Sequence, residues 1–96
     1  METKTGSKTA VTISLPRLIF ADTNSLPEQI VHVESELEEV KKALLSESID
    51  RVAEELADLI VSAMTALNII EWDNNLKIDD VFKYVHAKNK ARGYEI

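Results

Sequence analysis

Cysteine is absent from this chain of 96 residues, which excludes disulfide bonds, thiolate nucleophiles and cysteine-based zinc sites. Glycine and proline occur only twice each, and this scarcity does not favour low-complexity disorder. No apolar run approaches the length of a membrane span, and residues 1–8 lack the apolar core of a signal peptide. We therefore expect a cytoplasmic protein that has no membrane contact.

Basic residues are also fewer than acidic ones: the chain has 11 basic and 17 acidic side chains, and its formal net charge is −6. Such a field repels a phosphate backbone, so we expect no nucleic-acid partner. The length allows one domain, and a domain this small buries only a modest core. Subunit association is therefore expected before any motif is considered.

The first 26 residues differ from the rest of the chain. Val11, Ile13 and Leu15 alternate with polar residues in a strand-like pattern that Pro16 interrupts. We predict an N-terminal arm over residues 1–26 that is partly disordered, frayed at residues 1–9, and extended over 10–22 with room for a short helical turn. Residues 27–96 are predicted to form a helical domain.

The first long helix has a clear start signal. Ser25 and Glu28 make a capping-box pattern around Pro27, and the helix is predicted to continue to about Leu45. Its apolar residues recur with the helical period and predict the face that packs on the core. These residues are Ile30, Val33, Leu37, Val40 and Leu44.

Two further helices are predicted. The second starts at Ser46 or Ser48 and ends where residues 73–75 break the pattern, and it is apolar on most sides along its second half. The third runs over about 79–92, with Gly93 as its C-terminal cap. The apolar residues of the second helix are Ile49, Val52, Leu56, Leu59, Ile60, Ala63, Leu67 and Ile70.

Each of the first two long helices carries a pair of carboxylates spaced i, i+3, which places both members on one face. The pairs are Glu36 with Glu39 and Glu55 with Asp58. Each pair flanks its apolar stripe on the same rotational side, so antiparallel packing would bring the four together. Four converging carboxylates repel one another unless a cation lies between them, and Mg²⁺ prefers such oxygen ligands. The alternative is a solvated acidic face, in which Arg51 pairs with Glu55.

The third helix ends in cations. Lys88 and Arg92 continue the inward stripe of Val81 and Val85, and Asn89 lies about a quarter-turn away. Cations near a helix C-terminus also offset the helix dipole, which is the simpler explanation. Aimed at an acidic metal site, however, they would suit a polyphosphate that bridges the two.

Taken together, these motifs resemble the MazG-like family of all-α nucleoside-triphosphate pyrophosphohydrolases, in particular its small phage-type members. The ExxE pair, a spacer over residues 40–54, the ExxD pair and the Lys-Asn…Arg element over 88–92 carry the resemblance, which covers about residues 27–94. Ser35 departs from the pattern, since members often have a double glutamate before the first pair.

The resemblance implies a helical bundle completed by dimerisation, as a homodimer or a dimer of dimers. It also implies hydrolysis of a (d)NTP to a (d)NMP and pyrophosphate. The two carboxylate pairs would hold Mg²⁺, with Mn²⁺ as a substitute, and would be catalytic, while Lys88, Asn89 and Arg92 would bind phosphate. Trp72 and His32 are weaker candidates for contact with the base.

Other functions fit parts of the sequence. A non-catalytic helical module that dimerises or binds a partner would also explain the apolar girth of the second helix. A di-iron bundle needs Glu-x-x-His pairs, and neither His32 nor His86 has a glutamate three residues before it. An acyl-carrier domain would use Ser25, which a helix cap explains better.

Overall fold

The computed structural model describes residues 10–46 and 48–95, and these residues form four helices and no strand. The helices are α1 (Phe20–Thr23), α2 (Leu26–Ser46), α3 (Ile49–Asn74) and α4 (Ile78–Ala91). The all-α fold class is therefore confirmed. No helix in the described ranges is both long and apolar enough to cross a membrane. The predicted fraying of residues 1–9 falls outside the described residues, and the division of the chain at residue 26 stays a prediction.

The helix ends follow the sequence signals closely. Ser25 Oγ accepts a hydrogen bond from the Glu28 backbone N–H at 3.3 Å, and the Glu28 carboxylate accepts one from the Ser25 N–H at 2.9 Å. This reciprocal pair is the predicted capping box. Ser48 caps α3, Arg92 is the C-cap of α4, and Gly93 follows with a φ of 74°. Glycine suits this left-handed position because it has no Cβ.

Helices α2 and α3 form an antiparallel pair that contains the buried apolar residues. Two contacts show the direction. Gln29 of α2 contacts Ser62 of α3, whereas Glu36, which comes later in α2, lies beside Glu55, which comes earlier in α3. The Gln29 side chain is buried and donates to both the carbonyl and the hydroxyl of Ser62 at 3.1 Å, while it accepts from Asn24 at 2.9 Å. A buried amide with these partners fixes the register of the two helices.

The face of α2 that packs on α3 is rotated from the predicted one. Ile30, Leu37 and Leu44 are exposed, although the apolar stripe predicted them to be core. The contact uses the small apolar side chains of valine and alanine together with the polar Gln29 and Glu36. The residues of this contact on α2 are Gln29, Val33, Glu36, Val40 and Ala43.

One carboxylate joins the arm to α3 and α4. Glu71 accepts hydrogen bonds from the Arg17 guanidinium and, at 3.3 Å, from the Ile78 backbone N–H at the start of α4. These two donors, the guanidinium first, hold the pKa of Glu71 below its usual value of 4.5. Since α4 has no buried residue, this polar contact is an important attachment of α4 to the body.

The Glu71 contact predicts a pH dependence of stability. A carboxylate whose pKa is lowered by folding stabilises the native state above its unfolded pKa, and this contribution is lost as pH falls through the folded pKa. The free energy of unfolding of the wild type should therefore exceed that of Glu71→Gln at neutral pH, and the difference should shrink below about pH 5. Urea titrations over a pH series measure it.

The variant Arg17→Gln is the matched control, because it removes the larger cause of the lowered pKa and leaves the carboxylate in place. It should show a pH-dependent deficit of the same sign. A deficit that stays constant with pH in both variants would mean that lost packing, not the charged contact, explains the loss.

Candidate metal centre

Three carboxylates from two helices meet at one edge of the α2–α3 pair. Glu36 comes from the middle of α2, and Glu55 and Asp58 lie one turn apart in the first half of α3. Their ligand oxygens all lie within 4.8 Å of one another. The i, i+3 spacing puts the α3 pair on one face, and the antiparallel packing brings that face to Glu36.

This cluster carries excess negative charge. Glu55 is only 9% exposed, and Arg51 donates to it at 2.7 Å, as its i−4 position predicts. The same guanidinium is shared with Glu54, at 2.5 Å. His32 Nε2 lies 3.4 Å from Glu36 Oε1. Within the described ranges, one shared guanidinium does not balance three carboxylates, and such a site favours a cation.

The donor set fits a hard divalent cation. Carboxylate oxygens are the ligands that Mg²⁺ prefers. The three donor oxygens lie within 4.8 Å of one another, so small side-chain rotations would allow them to bind a common ion. Mn²⁺ accepts the same oxygen ligands.

Glu39, the fourth predicted ligand, lies outside this cluster. It is exposed, and its carboxylate lies 3.5 Å from Lys42 Nζ. Glu39 is three residues after Glu36, so the helical twist turns it farther from the contact with α3. Its role as a ligand stays a prediction.

A cavity of about 220 Å³ lies beside the cluster, with Glu36 and Asp58 in its wall. Leu18 and Phe20 of the arm cover it, and the Phe20 ring centroid lies 6.5 Å from that of His32. His32 was a predicted site residue, whereas the sequence did not single out Leu18 and Phe20 as site residues. Their signal was the apolar cluster at 18–20, just before the turn into α2. The remaining lining residues are Gln29, Val61, Ser62 and Thr65.

Among the described residues, none of the other predicted site residues contacts the three carboxylates or lines the cavity beside them. Lys88 is exposed, with its Nζ 5.9 Å from the centre of the Tyr84 ring. Arg92 is also exposed, and Asn89 is half-buried. Trp72 is 78% exposed near the end of α3 and lines neither this cavity nor the one between the arm, α3 and α4. The phosphate and base roles of these residues stay predictions.

The fold and the site define a class of protein: all-α, with a carboxylate cluster suited to a divalent cation beside a cavity. The family model of the MazG nucleotide pyrophosphohydrolase domain matches residues 27–95. The chain therefore belongs to the MazG family, as its motifs indicated, and nucleotides are the substrates of that family. Comparisons with curated proteins and with solved structures each return no match.

Proposed function

We propose that this protein is a Mg²⁺-dependent pyrophosphohydrolase that converts a (d)NTP to a (d)NMP and pyrophosphate. The observation that carries the proposal is the meeting of Glu36, Glu55 and Asp58 within 4.8 Å, at the wall of a cavity, in a chain of the MazG family. In the reaction, water adds across the bridge between the α- and β-phosphates, and the bridging oxygen leaves with the pyrophosphate.

The three carboxylates would hold the metal, and Glu39 would join them when its side chain leaves Lys42. Bound Mg²⁺ would supply positive charge that offsets the charge of the phosphates. Arg51 orients Glu55, since its guanidinium donates to that carboxylate at 2.7 Å. The burial of Glu55 keeps its side chain in one position, which favours a preorganised site.

The cavity beside the cluster accommodates the nucleoside. Phe20 and His32 present rings to a base, and Leu18 gives an apolar wall. Lys88, Asn89 and Arg92 do not line this cavity, and α4 has no buried residue. We therefore infer that subunit association positions α4 so that these three side chains bind phosphate. Trp72 stays a weaker candidate for the base.

The association surface is an exposed apolar stripe. On α2, Ile30, Leu37 and Leu44 recur every seven residues, a spacing typical of helices that pack along a seam. Leu56 and Ile60 of α3 are exposed as well. Helical rotation places the stripes of both helices on the side of the pair opposite the carboxylates. We propose that two protomers join these stripes into a four-helix bundle, and a dimer of dimers is the next larger assembly.

The exposed stripe equally favours the alternative function, a non-catalytic dimerisation module, so an activity measurement must separate the two. The protein is incubated with each common ribo- and deoxyribonucleoside triphosphate and Mg²⁺, and the products are identified by ³¹P NMR. We expect a monophosphate and pyrophosphate from at least one nucleotide, and no reaction after chelation of the metal. No product from any nucleotide would favour the module, and release of orthophosphate would contradict the cleavage position.

A further inference from the structure

A second cavity lies between the arm, α3 and α4, away from the carboxylates. It has a volume of about 370 Å³, within the range of small-molecule sites. Its α3 residues include Asn68, which follows Asp58 by ten residues and so lies about 15 Å farther along the helix. The Glu71 contact with Arg17 closes one side of this cavity.

Asn68 points to a ligand. This residue is only 6% exposed, it lines the cavity, and its side-chain amide has no hydrogen-bond partner among residues 10–46 and 48–95. Every fully buried side-chain nitrogen or oxygen in those ranges has a hydrogen-bond partner, so the amide of Asn68 must reach the space of the cavity. An amide placed there without a protein partner can donate to and accept from a bound molecule. A comparison within the same core is Gln29, whose buried amide has three hydrogen bonds.

The chemistry of the walls limits the ligand class. Phe82 and Met64 offer apolar surfaces suited to the faces of a planar ring. Arg17 is the one cation among the described lining residues, and Glu71 already pairs with it, whereas Asp79 adds negative charge. A phosphate group is therefore disfavoured in this cavity. An asparagine amide pairs with a donor beside an acceptor, as on the edge of adenine.

We propose that this cavity is a second site, which binds a neutral nucleoside or nucleobase through hydrogen bonds from the Asn68 amide to a donor–acceptor edge of the base. The site is separate from the proposed catalytic centre and lacks an unpaired cation for phosphate. It therefore discriminates in favour of nucleosides over nucleotides.

Adenosine is the probe, in ¹H–¹⁵N NMR titrations of the full chain. Its addition should shift the side-chain amide of Asn68 and the backbone amides of α3 around it. Binding should weaken at least about tenfold for Asn68→Leu, for N⁶,N⁶-dimethyladenosine, which lacks the donor, and for adenosine monophosphate, which adds charge. Asn74→Leu is the matched control, because Asn74 is exposed on the same helix and should leave binding unchanged.

Thermal melts establish that the variants fold. Phe82→Ala is a second variant expected to weaken binding, because Phe82 lines the cavity and is partly exposed. Glu36→Gln should bind adenosine like the wild type, so failure of the catalytic proposal and failure of this one are distinguishable. The proposal is overturned when adenosine shifts no residue of this cavity, or when Asn68→Leu binds it equally well. Loss of adenosine binding on dimerisation would mean that a second protomer occupies the cavity, and this result also overturns the proposal.

Discussion

Replacement of Asp58 by asparagine is expected to lower kcat/KM for pyrophosphate release by about 10²–10³-fold, the usual effect of removing one electrostatic group from a reaction centre. Asparagine has nearly the same shape but lacks the charge that holds a cation. In metal-free buffer the same variant should melt at a higher temperature than the wild type, because it relieves repulsion among three carboxylates whose oxygens lie within 4.8 Å. Steady-state kinetics and calorimetry measure the two effects.

Glu38→Gln is the control for this prediction, since Glu38 is exposed and its carboxylate pairs with Lys41 at 3.2 Å. Its kcat/KM and its melting temperature should stay close to those of the wild type. Wild-type activity in the Asp58 variant would mean that the cluster has no part in the mechanism. A similar loss of activity in both variants would indicate that the general negative charge of the protein, not the cluster, is responsible.

Replacement of Ile60 by glutamate is expected to convert a dimer into a monomer. Ile60 is 55% exposed in the protomer, in the middle of the apolar stripe on α3. A carboxylate buried there without a partner costs about 3–5 kcal/mol, which weakens association by more than a hundredfold. Sedimentation equilibrium measures the dissociation constant.

Ser35→Glu is the control, because Ser35 is exposed on α2 and helical rotation places it on the side of the carboxylates, away from the stripe. It should keep the wild-type association. If phosphate is bound by side chains that association positions, the monomeric Ile60 variant should also lose activity while its carboxylate cluster stays intact. Full activity in a proven monomer would contradict that part of the account.

The helices and most of the cluster could be predicted because their signals are local. A capping box at Ser25 and the i, i+3 spacing of Glu55 and Asp58 depend only on residues within one or two turns. The face of α2 was harder, because Ile30 and Val33 belong to the same apolar stripe and only the packing decides which of them α3 covers. The sequence predicted one core stripe, whereas the structure divides it between α3 and an exposed surface.

Long-range polar contacts were the other part that the sequence did not reveal. Gln29 looks like an ordinary surface residue until Ser62, 33 positions later, provides its partners. The approach of Phe20 to His32 depends on how the arm folds back, and no local pattern specifies that path. The separation of Glu39 from the cluster follows from the rotation of α2 and from the competing Lys42.

A crystal structure of the protein grown with Mn²⁺, with anomalous scattering to locate the ion, is the most direct measurement of the central claim. We predict an anomalous peak from an ion that carboxylate oxygens of Glu36, Glu55 and Asp58 bind, with Mg²⁺ competing for the same position. Manganese bound elsewhere, with those three carboxylates still paired only to Arg51, His32 and solvent, would contradict it.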